Sequence, residues 1–238
     1  MKKHREVDVC LTPLSVNLFD VSNKLVVVID VFRATSAICT ALNSGMKEVI
    51  TVAAIDEAQK FYNTDKYIVA AERNGKIASG FDLGNSPFEY LDNKELVDKS
   101  LVITTTNGTK AVNSIKHADI VLLASFLNVN AVLQYILKHK NDIVIVCSGW
   151  KGRVCLEDML LAGMISSKLT LNNSFFYKQD SVHLVSELYT NHMHNINSYL
   201  YKSAYCKRMN LKKDVDYCLQ MNIIETVPVL NNGAFIIN

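Results

Sequence analysis

The sequence predicts an α/β protein: a layered, mostly parallel or mixed sheet flanked by helices, with a helical C-terminal portion. Three observations predict it. Apolar runs of strand length, many rich in Val and Ile, recur from residue 7 to residue 147, and stretches with helical spacing lie between several of them. Beyond about residue 156 that alternation gives way to helical segments. Strands that alternate with helices form a sheet that is mainly parallel and covered on both faces.

The expected strands are 7–11, 25–31, 48–53, 67–71, 101–104, 119–124 and 142–147. In the first helical stretch Ala37, Ile38, Ala41 and Leu42 share one face before Gly45 stops the turn, and Ala131, Val132, Tyr135 and Ile136 repeat that spacing. A helix is expected over 156–169, further helical segments rich in Tyr, Asn and Lys over 181–222, and late strands at 227–230 and 235–237. No repeat, low-complexity tract or flexible linker interrupts the chain. It reads as one α/β domain over 1–238, with room for two lobes and a helical portion at about 156–222.

Apolar residues at 49% and charged residues at 20% exclude a disordered chain. With 25 basic and 23 acidic residues there is no broad basic field to hold nucleic acid, so a small-molecule partner is favoured, and a homodimer is compatible with that balance. Asp8, Thr12, Asn17 and Asp20 break up the stretch after the charged N-terminus, and no segment reaches transmembrane length, so neither a signal peptide nor a membrane anchor is expected. The six cysteines show no CxxC spacing, and several lie inside apolar runs. Together these features point to a reducing cytoplasm.

In open α/β sheets ligands lie beyond the carboxyl ends of the strands, and four of these ends are polar here. At 30–36 an apolar run breaks into Asp30, Arg33, Thr35 and Ser36 as a helix begins, which assembles the groups that grip a phosphate together with a divalent cation. Thr35 or Ser36 as a helix N-cap is the plain alternative. At the second end Glu72 and Arg73 follow an apolar run, as an ion pair beside a turn or as site residues. Downstream, Gly84 and Asn85 allow backbone to approach a ligand, while Ser86, Pro87 and Glu89 form a capping box, so a structural helix start and an anion site both stay open. The third end, 104–110, presents hydroxyls and backbone amides through Thr106, Asn107, Gly108 and Thr109, without the glycine spacing of a nucleotide-triphosphate loop. The fourth places Cys147 five residues before Arg153, the spacing of a thiol phosphatase, with Glu157 and Asp158 opening the next helix. His192 and His194, two apart on a helix, point to different sides and read as polar surface.

In order and spacing, the stretches 28–36, Glu72-Arg73, 80–87, 105–109, 125–128 and 156–158 resemble the 2-phosphosulfolactate phosphatase (ComB) family over about residues 25–170. Asp214-Val215 with Cys218, and Val227-Pro228, are similar to the end of that family. The resemblance implies an α/β fold of its own and a Mg²⁺-dependent phosphatase that hydrolyses 2-phosphosulfolactate to sulfolactate and phosphate, a step in coenzyme M biosynthesis. Where the family has Gly-Glu-Arg-Gly-Gly, this chain has Ala71-Glu72-Arg73-Asn74-Gly75, and the region 170–210 departs most.

On this reading Asp30 and Glu72 hold Mg²⁺, with Asp158 as a further carboxylate. Arg33, Thr35, Ser36, Arg73, Asn85, Ser86 and the turn of Thr106, Asn107, Gly108 and Thr109 bind the oxygens of a small phosphorylated acid. Asp30, Glu157 and Asp158 are the catalytic carboxylates, with attack by water activated by the metal and Glu157 or Asp158 as base. Phe32 occupies the place of the second acid of an Asp-x-Asp pair, which disfavours an aspartyl-phosphate route. Two alternatives stay open: a metal-independent phosphatase using Cys147 and Arg153, and a non-catalytic phosphoanion-binding protein. Carboxylates at the site count against the second, because a pure anion binder gains nothing from them.

Overall fold

The computed structural model describes residues 4–237 apart from 63, 65, 114, 116, 172 and 173. Strands β1 (Arg5–Cys10) and β2 (Leu25–Ile29) lead into helix α1 (Ala34–Asn43), and β3 (Glu48–Thr51) into α2 (Ile55–Gln59). Then come β4 (Tyr67–Arg73), β5 (Lys76–Ile77), β6 (Ser100–Thr104), α3 (Gly108–Asn113), β7 (Ile120–Ala124), α4 (Val129–Lys138) and β8 (Ile143–Cys147). The C-terminal part holds α5 (Leu156–Thr170), β9 (Phe175–Phe176), α6 (Asp180–His192), α7 (Ile196–Leu200), α8 (Ala204–Arg208), α9 (Lys212–Cys218), β10 (Pro228–Asn231) and β11 (Ala234–Ile237). Each of the seven expected apolar runs is a strand, and the expected C-terminal helical portion is α5 to α9 with β9 between its first two helices.

The strands form one mixed sheet in the order β5-β4-β6-β3-β11-β10-β7-β2-β8-β1-β9. Its interior strands are apolar on both faces: all five residues of β2, β6 and β8 are buried, because helices cover both sides. The late strands are not edge additions. They form a hairpin at the middle of the sheet, with β11 antiparallel to β3 and β10 antiparallel to β7. Asn232 and Gly233 supply the two positive φ angles of its two-residue turn, and Asn74 and Gly75 do the same between β4 and β5. Asn at position 74 therefore keeps a tight hairpin turn beside Glu72 and Arg73.

Three antiparallel junctions in succession make the parallel set β4-β6-β3 run opposite to β7-β2-β8-β1. Their carboxyl ends nevertheless meet. Six strand steps separate β4 from β2, and a twist of about 20–25° per step accumulates to on the order of 120–150°, which offsets most of the reversal. The curled sheet shares one apolar cluster that includes Val26 and Val28 of β2, Ala37 and Ile38 of α1, and Leu101 and Ile103 of β6. The ends of β2, β4 and β6 thus open on one cleft.

Candidate active site

Asp30 follows directly on β2, and its buried side chain faces a narrow cleft of ≈ 20 Å³. Its Oδ1 accepts the Ala34 amide at 3.3 Å, so the carboxylate itself satisfies the first free N–H of α1. Its carbonyl accepts the Thr35 amide at 3.0 Å and the Thr35 hydroxyl at 2.9 Å, and the Ser36 hydroxyl donates to the Val31 carbonyl at 2.9 Å. Thr35 and Ser36, expected on the substrate, are buried in these bonds and do not line the cleft. Nor does either cap the helix, which begins one residue earlier with Arg33 at the cap position.

The facing wall comes from the other half of the sheet. Glu72 Oε1 accepts the Gly75 amide at 2.5 Å, Oε2 accepts the Thr106 amide at 3.1 Å, and the Thr106 hydroxyl lies 3.2 Å from both oxygens. These bonds tie the β4–β5 hairpin to the turn after β6. At the end of that turn Gly108 packs on Asp30: a β-carbon there would lie 2.8 Å from Asp30 Oδ2 and 2.9 Å from Ala34 Cβ, so the position admits glycine alone without a shift. Asn107 Oδ1 accepts the Lys151 amide at 3.0 Å and so fastens the loop after β8 to the same cleft. The side chain of Thr109 lies outside the described residues.

Arg33 enters the cleft from below, its guanidinium ion-paired with Asp214 of α9 and donating to the Gly75 carbonyl at 2.9 Å. The Ser86 hydroxyl donates to the other Asp214 oxygen at 2.9 Å, while Glu89 accepts the amides of Ser86 and Gly84 at 3.3 and 2.8 Å. Ser86 therefore takes its structural alternative and stays off the cleft. Its neighbour Asn85 lines the cleft, 5% exposed, with an Oδ1 that has no hydrogen-bond partner among the described residues. A buried amide oxygen without a partner is costly in an empty site and cheap in an occupied one. Arg73 turns away, donating to the Glu72 carbonyl at 2.7 Å and the Thr104 hydroxyl at 3.0 Å.

The remaining acids divide their tasks. Asp158 accepts the amides of Val31 and Gly149, both at 2.9 Å, and so joins the loops after β2 and β8; this occupies both oxygens and makes it a brace, not an open base. Burial, then Glu157, pushes its carboxyl up to about 8. Glu157 faces a neighbouring cavity, and burial, reinforced by Asp30, pushes it up to about 7. Burial, then Asp158 and Glu72, raises Asp30 well above the ordinary carboxylate range, against the pull of the Ala34 and Gly108 amides.

Cys147 does not reach the cleft. It is fully buried in β8, paired in register with Ile29, and burial, then Asp158 and Cys10, holds its thiol well above the usual range. A neutral thiol inside the sheet cannot attack phosphorus, and this overturns the cysteine-phosphatase alternative. Arg153 is exposed and lines the neighbouring cavity. His192 stacks on Tyr199 with ring centroids 3.6 Å apart.

Sequence reasoning missed Asp214 as the partner of Arg33, and Trp150 and Tyr205 as walls of the cleft. The signals were thin: an acid beside a short late motif, and the chain's single tryptophan in a glycine-flanked loop. The family model described as 2-phosphosulpholactate phosphatase matches residues 10–233. The chain belongs to the 2-phosphosulfolactate phosphatase family. A probable 2-phosphosulfolactate phosphatase of Thermotoga petrophila is 42% identical over 235 residues, covering 97% of this chain and 98% of the relative. Another of that description, from Caldanaerobacter subterraneus subsp. tengcongensis, is 40% identical over 226 residues and 92% of each chain. Membership of the 2-phosphosulfolactate phosphatase family makes the chain a phosphoric monoester hydrolase, in agreement with carboxylates and a guanidinium around one cleft. Among the described residues no helix is long and apolar enough to cross a membrane.

Proposed function

We propose that this chain hydrolyses 2-phosphosulfolactate to sulfolactate and phosphate with Mg²⁺ as cofactor, a cytoplasmic reaction of the coenzyme M biosynthesis type. The observation that carries the reading is the meeting of Asp30 and Glu72, from opposite halves of the sheet, in the cleft that also holds Arg33. Burial and the neighbouring carboxylates, Asp158 and then Glu72, disfavour the ionisation of Asp30, and a hard divalent cation beside it offsets that penalty.

The residues fit such a cation. Among the described residues no three His, Cys, Asp or Glu side chains lie close enough to enclose a metal, but Mg²⁺ takes one or two carboxylates and fills its shell with water and phosphate oxygen. Asp30 and Glu72 would hold it, with Asn85 Oδ1 as a neutral oxygen on the same wall. When bound, the cation supplies charge neutralisation to the phosphoryl group.

The chain's own residues do the rest. Arg33, held in place by Asp214 and the Gly75 carbonyl, binds phosphoryl oxygens beside the turn of Thr106 and Asn107. Glu157, pushed up to about 7 by burial, lines the adjoining cavity and is the group placed to exchange a proton with the substrate or with water.

The test is phosphate release from 2-phosphosulfolactate with Mg²⁺ and with EDTA, beside calorimetric Mg²⁺ binding. Mg²⁺-dependent release is expected, and Asp30→Asn should weaken Mg²⁺ binding and lower kcat at least about a hundredfold with the fold intact. Full activity in EDTA would remove the metal from the reading, and near-wild-type kinetics of Asp30→Asn would remove Asp30.

A further inference from the structure

The phosphate cleft shares two walls, Trp150 and Tyr205, with a second cavity of ≈ 200 Å³. The first is narrow, and the second adjoins it at those two residues. The second cavity is basic at its mouth. Arg208 of α8 lies over the Trp150 ring at 4.0 Å, Arg153 lines the opposite side, and among the described residues neither guanidinium forms an ion pair. The Tyr205 side chain, 7% exposed, has a hydroxyl with no hydrogen-bond partner among the described residues. Phe32 packs against its ring at 5.0 Å and fixes its position.

Two guanidinium groups that line one cavity without an ion pair among the described residues are complementary to an anion that bears several acceptor oxygens, and the buried Tyr205 hydroxyl, in the wall shared with the cleft and near Arg33, is a further donor. We propose that this second cavity is the subsite for the second strong-acid group of the substrate, its sulfonate, and that Tyr205 and Arg208 are the residues that select it. The assignment rests on the proposed phosphatase reading. In 2-phosphosulfolactate the sulfonate sits on the carbon next to the one that bears the phosphate ester, so the two groups fall into adjoining cavities. The planar Arg208 fork, stacked on Trp150, is pre-oriented for sulfonate oxygens. Buried Glu157 also lines this cavity.

Helix α8 supplies Tyr205 to both cavities and Arg208 to the second. Its placement over both cavities makes it the element through which substrate choice is set.

The test compares kcat/KM for 2-phosphosulfolactate with that for 2-phospholactate, which lacks only the sulfonate, in wild type, Arg208→Gln and Tyr205→Phe, all with Mg²⁺. Calorimetric binding of sulfolactate gives a readout free of turnover. Wild type should prefer the sulfonate substrate, Arg208→Gln should cut that preference and sulfolactate affinity about tenfold or more, and Tyr205→Phe should cut both several-fold. Tyr205→Phe should not lower Tm, because a hydroxyl without a partner stabilises nothing; an equal loss on both substrates together with a lower Tm would mark a structural role and overturn the selection role of Tyr205. An undiminished preference in both variants, with unchanged sulfolactate binding, overturns the subsite alone. Hydrolysis of neither substrate by wild type overturns the phosphatase reading, and Arg208-dependent sulfolactate binding then still decides the subsite.

Discussion

Arg33 and Asp214, 181 residues apart in the chain, form a buried ion pair that places α9 beneath the phosphate cleft. One guanidinium thus answers to the Asp214 carboxylate and the Gly75 carbonyl, and in the proposed function also to the substrate. Lysine keeps the charge but cannot present several N–H groups in one plane. Arg33→Lys should cost on the order of 1–3 kcal/mol in transition-state binding, read as kcat/KM. Arg73→Lys should cost much less, because Arg73 is folded back on Glu72 and Thr104. Equal losses in the two variants would show that Arg33 is not the phosphate-binding cation.

Gly108 gives a second test, through shape alone. Alanine would put its β-carbon 2.8 Å from Asp30 Oδ2, so either the carboxylate or the turn must move. Gly108→Ala should lower kcat about tenfold or more and weaken Mg²⁺ binding, since small displacements of a catalytic group are expensive. Wild-type kinetics in this variant would mean that Asp30 does not need its present position.

The buried acids set a pH dependence of stability. The folded values of Glu157 and Asp158, about 7 and about 8, lie above their ordinary 4.5 and 3.8, so the native state binds more protons than the unfolded chain across that interval. Their contribution is therefore fully present below about pH 4 and is lost as pH rises through about 7 to 8. Without divalent cation, Tm should fall over this window, and Glu157→Gln should make the slope shallower. Parallel Tm–pH curves for wild type and variant would refute the assignment.

Thiol chemistry should be silent. Cys147→Ala should keep kcat/KM near wild type, although Tm should drop by a few degrees from the cavity left in the core. Loss of activity without loss of stability would return Cys147 to the mechanism.

The sequence alone determined nine of the eleven strands among the described residues, the helical C-terminal portion and the polar strand ends, because period-two and period-3.6 patterns and turn residues act over a few positions, whereas the two-residue strands β5 and β9 are too short to carry a pattern. It also located Asp30, Arg33, Glu72, Asn85, Thr106 and Asn107, all of which line the cleft. Which hydroxyls face inward was not legible: Thr35, Ser36 and Ser86 carry the same group as Thr106, and only three-dimensional packing commits them to Asp30, Val31 and Asp214. The tertiary structure alone decided that the hairpin of β10 and β11 lies between two opposed sets of parallel strands, and that α8 and α9 reach the cleft. Such pairings join residues more than a hundred positions apart and depend on sheet twist and burial summed over the whole fold, which no local window of sequence contains.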